Sequence, residues 1–320
     1  MPTAILLGLL LAAAPRSVPP AKAATAPAPK KSEPSSASAG AAVFDSTRAF
    51  RYLLEQCALG PRNPGSEAHA RAIQYFEAHF KSLGFPVDLQ NFTHRDLADG
   101  RPVHLTNILV TIKGRDTSRP GPLFCAHWDT RPRADQDPNS ILQDRPIMGA
   151  NDGASGVAVL MELANVLKRK PPERTVRLAL FDGEDYGRGG SLDEYFLGAR
   201  HYAENLPTPK PAYAVLLDMV GDKDLSISME RNSLAQHPEL VRKVWDRAKS
   251  LGLTAFKHQP GLVVYDDHMP LMAQGLPELD IIDFDYPPWH TMADTPDKCS
   301  AYSLGVAGRL VASLARQPLP

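Results

Sequence analysis

Apolar residues recur at two different spacings along the chain, and the two spacings alternate from about residue 87 onward. Short continuous runs, such as Val-Arg-Leu-Ala-Leu-Phe and Ala-Val-Leu-Leu-Asp, are typical of strands buried on both faces. Longer segments with apolar residues three and four positions apart predict helices that pack one face on a sheet. We therefore predict strands over residues 87–92, 105–112, 122–127, 175–181, 213–219 and 279–284, and helices over residues 155–168, 192–205, 238–251 and 302–314.

Two further helices are predicted before the first strand. Ser46 or Thr47 can cap the first helix, and Ser66 can cap the second, which ends before Gly84. Strands that alternate with helices predict an α/β fold, with a single domain in which a mostly parallel central sheet is covered by helices on both faces. The apolar faces of the two early helices are predicted to carry Phe50, Leu53, Leu54 and Cys57 in the first, and Ile73, Phe76, Phe80 and Leu83 in the second.

The first 42 residues differ in character from the rest of the chain. An apolar run from Ala4 to Ala14 precedes a segment Ala-Lys-Ala at residues 21–23, which matches the small-x-small pattern of a signal-peptide cleavage site. The next residues are mostly Ala, Pro, Ser and Lys, which is typical of a linker. We predict a signal peptide over residues 1–23, a linker over 24–42 and a folded domain over 43–320, in a protein that is periplasmic or secreted. Because no positive charge lies between Met1 and the apolar run, an uncleaved anchor or a different start stays an alternative.

Charge and cysteine content exclude some classes of binding partner and of structural site. The 320 residues include 35 basic and 36 acidic ones, a formal net charge of -1, so no positive excess favours nucleic acid or an anionic membrane. Cys57, Cys125 and Cys299 show no CxxC spacing and predict neither a thiolate zinc site nor a disulfide framework. Since no basic patch or heptad is evident, we expect a monomer that is not inserted in a membrane after signal cleavage.

Polar side chains follow several of the predicted strands at the point where each strand ends. His127 ends one strand, Glu184 and Asp185 follow a second, and Asp218 ends a third. In an open α/β sheet, ligands bind beyond the carboxyl ends of the strands, so we expect these side chains to converge. Taken singly each signal is weak, because strand-end carboxylates often cap the next helix. Their joint occurrence predicts a metal site.

Two loops add further ligand types to this group. Asp152 lies in a glycine-rich turn, Gly-Ala-Asn-Asp-Gly-Ala-Ser-Gly, and His290 lies in a Pro-Pro-Trp-His-Thr loop. Asp152, Asp185 and His290 together supply oxygen and nitrogen ligands and can leave a fourth tetrahedral position open, as a catalytic zinc requires. Glu184, next to a proposed ligand, is the candidate acid and base. A lone histidine such as His268 is more often structural.

These segments carry a family resemblance. The chain from about residue 45 to 316 resembles the glutaminyl-peptide cyclotransferases of animal type and their bacterial relatives, which belong with the zinc aminopeptidases of the M28 metallopeptidase clan. The motifs occur in the same order as in that family. They are AHWDTRP at 126–132, GANDGASG at 149–156, FDGEDY at 181–186, LLDM at 216–219, DDH at 266–268 and WHT at 289–291.

The resemblance implies a role for each matching residue of the predicted catalytic domain. It implies one zinc ion per chain, bound by Asp152, Asp185 and His290, with Glu184 as the acid and base. It also implies that Asp218 and Asp266 belong to a hydrogen-bond network of carboxylates, and that Trp289 walls the substrate pocket, with Trp128 as a further wall.

The chain departs from the animal enzymes at three positions. Asp185 stands where they have a second Glu, as in bacterial members. A network histidine of the animal enzymes falls near Asp280, and their aromatic residue shortly after the Glu-Glu pair has no counterpart in the glycine-rich residues 186–190.

The reaction that the resemblance implies is cyclisation of the N-terminal glutamine of a peptide or protein to pyroglutamate, with release of ammonia. Two alternatives stay open. The first is a dizinc aminopeptidase, in which His127 and Asp218 hold a second metal ion; the second is a noncatalytic binding domain on the same fold.

Overall fold

A computed structural model of the chain describes residues 43–189 and 192–319. The predicted signal peptide and linker lie outside the described residues, so export, like the monomeric state, stays a prediction. None of the helices in the described part has the length and apolar character that a membrane span requires.

A six-stranded sheet organises the described residues, with strand order β1-β2-β4-β3-β5-β8. β2 runs antiparallel to both of its neighbours, whereas β3, β4, β5 and β8 are parallel. A mixed, mostly parallel sheet confirms the predicted fold class. The strands are β1 Val87–Arg95, β2 Pro102–Ile112, β3 Leu123–His127, β4 Val176–Phe181, β5 Ala214–Asp218, β6 Ile227–Met229, β7 Phe256–Pro260 and β8 Glu278–Ile282.

Helices cover both faces of the sheet. On one face α1, α3 and α8 pack against one another around the buried strand residues Phe124 and Leu217, and on the other face Phe196 and Leu271 cover Leu216. The helices are α1 Ser46–Ala58, α2 Glu67–Ser82, α3 Ala154–Arg169, α4 Leu197–Glu204, α5 Arg231–Gln236, α6 Pro238–Ser250, α7 His268–Ala273 and α8 Ala301–Arg316.

The two N-terminal helices form where their apolar faces predict, with one difference in capping. The Asp45 carboxylate accepts the backbone N–H of Arg48 and caps α1, so the prediction of Ser46 or Thr47 as the cap is wrong. The Ser66 hydroxyl accepts the backbone N–H of His69, as predicted for α2. The three cysteines are buried and free, which agrees with the absence of a predicted disulfide framework.

The helix predicted over residues 192–205 begins later than expected. Phe196 adopts a left-handed backbone conformation with φ of 59°, so α4 starts only at Leu197. The preceding residues are instead tied back to the end of β4, since the N–H of Phe196 donates to the carbonyl of Glu184 at 3.0 Å. The short helix therefore leaves residues 192–196 free to border the site above the sheet.

The glycine-rich turn before α3 brings the backbone close to β3. Gly153 has φ of 96°, and a Cβ atom there would lie 2.6 Å from the carbonyl oxygen of Asp129. Only glycine combines this conformation with this approach. The turn therefore positions Asp152 directly beside the end of β3.

Candidate metal centre

Five metal-ligating side chains converge beyond the carboxyl ends of the parallel strands. His127 ends β3, Asp218 ends β5, and Asp185 follows β4. Asp152 lies in the turn before α3, and His290 lies in the loop after β8. The structure thus gathers the five residues that the sequence singled out as ligands, in two sets of three that share Asp152.

The first set contains Asp152, Asp185 and His290. The Nε2 atom of His290 lies 3.1 Å from Asp185 Oδ1 and 3.5 Å from Asp152 Oδ2. The Oδ2 atoms of Asp152 and Asp185 are buried and accept no hydrogen bond within the described residues. Buried carboxylate oxygens without partners are costly unless an ion or a proton occupies the space between them. Two carboxylates and one imidazole suit zinc, and they leave room for a fourth ligand.

The second set contains His127, Asp152 and Asp218. The Nε2 atom of His127 lies 3.1 Å from Asp152 Oδ1 and 3.2 Å from Asp218 Oδ1. The two oxygens of Asp152 therefore face different histidines. This arrangement could hold a second ion that shares Asp152 with the first, so the ligand geometry accommodates one metal ion or two.

The electrostatics of these residues fit a site built for a cation. Burial and the nearby Asp185 raise the pKa of Asp152 to about 7. Burial also acts to raise the pKa of Asp185, but His290 and Arg131 outweigh it and hold that pKa well below its ordinary value. Burial acts to lower the pKa of His127, but hydrogen bonding and charge from Asp129, Asp152 and Asp218 raise it by more, so the pKa of His127 lies above its ordinary value. A bound metal ion would take the place of the proton that these groups share.

Backbone strain is concentrated around the site. Three non-glycine residues in the described part of the chain have positive φ, and each borders a site segment: Phe196 at 59°, Met219 at 45° and His290 at 54°. Such conformations cost roughly 1 kcal/mol each and persist where the surroundings enforce them. The imidazole of His290 stacks on the indole of Trp289, with ring centroids 3.7 Å apart.

Asp129 holds the Glu184–Asp185 turn in place. Its buried carboxylate accepts the backbone N–H of Glu184 at 3.1 Å and that of Asp185 at 3.4 Å. Its Oδ1 atom also lies 3.5 Å from Nδ1 of His127. Sequence reasoning did not single out Asp129, although it lies within the AHWDTRP motif.

Asp294 has the same function for the turn that carries Asp152. Its carboxylate accepts the backbone N–H groups of Asn151 at 2.9 Å and Asp152 at 3.2 Å, and the hydroxyl of Tyr286 donates to it at 2.8 Å. Asp294 is fully buried. In the sequence, only its position four residues after His290 connects Asp294 with the site.

Arg131 ties the Asp185 ligand to the neighbouring loops. Its guanidinium donates to Asp185 Oδ1 at 3.1 Å and to Asp135 Oδ1 at 2.7 Å, and also to the hydroxyl of Tyr195 at 3.0 Å. The side chain is 2% exposed, so this charge is held almost out of water. The fixed fork of the guanidinium therefore orients Asp185 toward His290.

Glu184 lies in the pocket next to the ligands without belonging to either set. Burial is the first cause that raises the pKa of its carboxyl well above the ordinary value, and Asp185 is the second. A carboxyl that holds its proton more tightly than usual is suited to exchange protons with a substrate near neutral pH.

Behind Glu184 lies a buried cluster of further acids. Burial, Asp218 and Asp267 raise the pKa of Asp266, and burial and Asp266 raise the pKa of Asp280. The Nδ1 atom of His268 lies 3.9 Å from Asp280 Oδ2. An imidazole is thus present in this cluster, but it comes from α7 rather than from the β8 position where the animal-type enzymes have their histidine. Asp266, His268 and Asp280 form a third set whose ligand atoms converge.

The pocket above the ligands has a volume of about 210 Å³. Its lining includes the carboxyl-bearing Glu184, Asp218 and Asp266 and the aromatic Trp289 and Phe284. Trp289 thus lies where the resemblance placed it.

Trp128 lies outside the pocket, so its predicted contact with substrate is wrong. It is fully buried beneath the sheet end, its ring stacks on His69 with centroids 4.6 Å apart, and its indole N–H donates to the carbonyl of Thr106 at 3.1 Å. Successive residues of an extended chain point to opposite sides. Because His127 faces the metal site, Trp128 faces the core.

A mostly parallel sheet with histidine and carboxylates gathered at its strand ends defines an α/β metalloenzyme of the zinc exopeptidase class. The model of the peptidase family M28 matches residues 107–315. The chain belongs to this family.

Curated and solved relatives carry two kinds of name. The mouse glutaminyl-peptide cyclotransferase-like protein is 28% identical over 263 residues, which are 73% of this chain and 66% of that protein, just under two thirds. The crystal structure of Fimbriiglobus ruber glutaminyl cyclase is 32% identical with a TM-score of 0.80, and the match covers 89% of this chain and 99% of that one. A leucine aminopeptidase precursor from Bacteroides thetaiotaomicron is 30% identical with a TM-score of 0.82, covering 87% and 98%. The similarity therefore supports both the cyclase and the aminopeptidase activity.

Proposed function

We propose that the chain is a zinc-dependent glutaminyl-peptide cyclotransferase that converts the N-terminal glutamine of peptides and proteins to pyroglutamate and releases ammonia. The observation that carries this proposal is the lining of the pocket, to which Glu184, Asp218 and Asp266 contribute three carboxyl groups besides the proposed zinc ligands Asp152 and Asp185. A folded-back glutamine directs an amine and an amide toward them, and both groups are rich in N–H donors. A leucine side chain would instead have to be buried against these acids, which is unfavourable.

Different residues of the pocket have different roles in the cyclisation. Glu184 takes a proton from the attacking α-amine and delivers it to the amide nitrogen, which leaves as ammonia. Trp289 and the pocket wall keep the glutamine side chain folded back, so that the amine lies close to the side-chain carbonyl carbon. Asp152, Asp185 and His290 would hold the zinc. When bound, zinc supplies Lewis-acid polarisation of the γ-carbonyl oxygen.

A dizinc aminopeptidase is the second candidate, and a specific observation favours it. His127, Asp152 and Asp218 form a complete second ligand set beside the first. In that case two ions would be bound per chain, and His127→Ala would lower both the zinc content and the hydrolysis of leucyl substrates. For the cyclase, the same variant would retain about one zinc per chain and turn over glutaminyl substrates. A noncatalytic domain on the same fold would bind zinc without any turnover.

The deciding experiment compares a glutaminyl and a leucyl fluorogenic substrate on the purified chain, with zinc content determined on the same sample. We expect ammonia release from the glutaminyl compound at about one zinc per chain. Glu184→Gln should lower kcat by a factor of about 100 or more while zinc content stays unchanged. Hydrolysis of the leucyl compound with two zinc ions per chain would refute the cyclase in favour of the aminopeptidase.

A further inference from the structure

A second cavity of about 290 Å³ opens directly beside the catalytic pocket. The two share Val264, Ile282 and Phe284 in their walls, so the second cavity adjoins the catalytic pocket. We call the second cavity the acidic groove. The residues that the argument uses from its lining are Ser226, Glu230, Leu262, Asp283, Phe284 and Asp285.

The rim between the pocket and the groove is apolar and uncovered. Leu262, Val263 and Tyr265 are 61%, 51% and 57% exposed. Val263 and Tyr265 line the catalytic pocket, whereas Leu262 lines the groove. Exposed apolar side chains that flank a catalytic pocket are suited to contact a peptide backbone and its nonpolar side chains.

The groove carries negative charge without a matching cation. Among the described residues that line it there are three carboxylates and no Lys or Arg. Glu230 is already used, since its carboxylate accepts the backbone N–H groups of Asn232, Ser233 and Val264. Glu230 also lies 3.4 Å from Nε2 of the buried His268, whereas Asp283 and Asp285 form no ion pair with any described residue.

The surroundings of Asp283 reinforce this polarity. Its buried carboxylate accepts the backbone N–H of Ser226 at 2.7 Å and that of Asp285 at 3.3 Å, and it forms no ion pair within the described part of the chain. Burial raises the pKa of Asp283 to about 6, and the nearby Asp222 and Asp285 add to the shift. The exposed Asp285 also borders a further depression, whose lining holds four carboxylates, Asp222, Asp224, Asp285 and Asp297, and two lysines, Lys223 and Lys298. Negative charge therefore continues outward from the catalytic pocket.

We infer that the acidic groove binds the residues that follow the N-terminal residue of a substrate, and that it selects peptides with a basic side chain at the second or third position. This inference rests on the proposed function, because it assumes that the N-terminal residue of the substrate occupies the catalytic pocket. An extended peptide advances about 3.3 Å per residue, so the next two residues reach the groove. Asp283 and Asp285 then attract the Lys or Arg side chain, while Val264 and Phe284 contact the backbone and the aliphatic stem.

The experiment compares peptides that differ only in charge. Gln-Ala-Lys-Ala amide and Gln-Ala-Glu-Ala amide are assayed for kcat/KM, with Gln-Ala amide as a short reference. We expect the lysine peptide to be favoured by about fivefold at low ionic strength, since an ion pair with the exposed Asp285 contributes modestly and the buried Asp283 adds to the local negative charge. The preference should fall toward parity in the Asp283→Asn/Asp285→Asn double variant and at high salt. Turnover of the short reference should not change in that variant.

A matched control separates the groove from general charge effects. Asp88→Asn removes an exposed carboxylate from β1, at the sheet edge opposite β8, and should leave the preference intact. Equal kcat/KM for the two charged peptides, or a preference that survives the double variant, would overturn the inference. The affinities of the same peptides, measured by calorimetry, give a readout that does not need turnover. A lysine preference in binding without any turnover would refute the cyclase and keep the groove.

Discussion

Removing the Asp129 carboxylate tests whether its hydrogen bonds to the backbone stabilise the Glu184–Asp185 turn. Asp129→Ala leaves the backbone N–H groups of Glu184 and Asp185 without their acceptor. A buried donor left unsatisfied costs about 1–3 kcal/mol, so the two together should lower the free energy of unfolding by about 2–6 kcal/mol. Asp129→Asn keeps one oxygen acceptor and should lose roughly half as much.

The same change should weaken metal binding, because Asp129 orients both a ligand and the acid–base residue. Residues that position metal ligands typically contribute 10- to 100-fold to affinity, and we expect about that loss of zinc affinity in Asp129→Ala. Zinc affinity is measured by competition with a chromophoric chelator, and stability by urea unfolding of metal-free protein. The half-loss expected of Asp129→Asn keeps the test informative if the alanine variant does not fold.

Asp116→Ala is the matched control for this comparison. Asp116 also accepts two hydrogen bonds, from the backbone N–H and the hydroxyl of Ser118, but on an exposed turn. There water replaces the lost partner, and we expect a change below about 0.5 kcal/mol with unchanged zinc affinity. If Asp129→Ala folds and matches the wild type in both zinc affinity and unfolding free energy, Asp129 does not support the site.

Three further predictions concern the metal, the pocket wall and the groove. Chelation of zinc should lower the free energy of unfolding, by about 4 kcal/mol relative to protein at a free zinc concentration 1,000-fold above Kd, and readdition should restore it in thermal melts. Trp289→Ala should raise KM for glutaminyl substrates more than Trp289→Phe does, because the phenyl ring keeps part of the wall; equal effects would contradict a packing role. Burial, Asp222 and Asp285 raise the pKa of Asp283 to about 6, so its contribution to the lysine preference should be about half developed at pH 6, grow at higher pH and fade at lower pH. A preference independent of pH in kcat/KM would contradict this assignment.

The parts of the fold that could be predicted are those that the hydrophobic pattern controls directly. The buried strands β3, β4 and β5 read as continuous apolar runs, and the side chains at their ends converge because parallel strands share one edge. β6 and β7 gave no such signal. The sequence of β7, Phe-Lys-His-Gln-Pro, is almost wholly exposed and pairs only with the three residues of β6.

The supporting residues of the site were harder to predict for a different reason. Asp129 and Asp294 act through backbone N–H groups of turns that are distant along the chain, and such contacts leave no periodicity in the sequence. Trp128 was expected to wall the substrate pocket together with Trp289, but the alternation of side chains at the end of β3 directs it into the core. Phe196 continued an apolar pattern that predicted a longer helix, and only its left-handed conformation sets the start of α4.

The choice between one metal ion and two depends on Asp152, since it is the only ligand that the first two sets share. Its Oδ1 atom faces His127 and its Oδ2 atom faces His290, so a single ion near His290 leaves Oδ1 to the imidazole of His127. His127 can then donate its Nε2 proton to Asp218, with Asp152 Oδ1 also 3.1 Å away, and act as a hydrogen-bond partner rather than a ligand. Two ions would require this proton to be lost, and the carboxylates that raise the pKa of His127 would then attract the second cation in its place. These charges are therefore compatible with either stoichiometry, and the zinc content of the wild type and of His127→Ala decides between them.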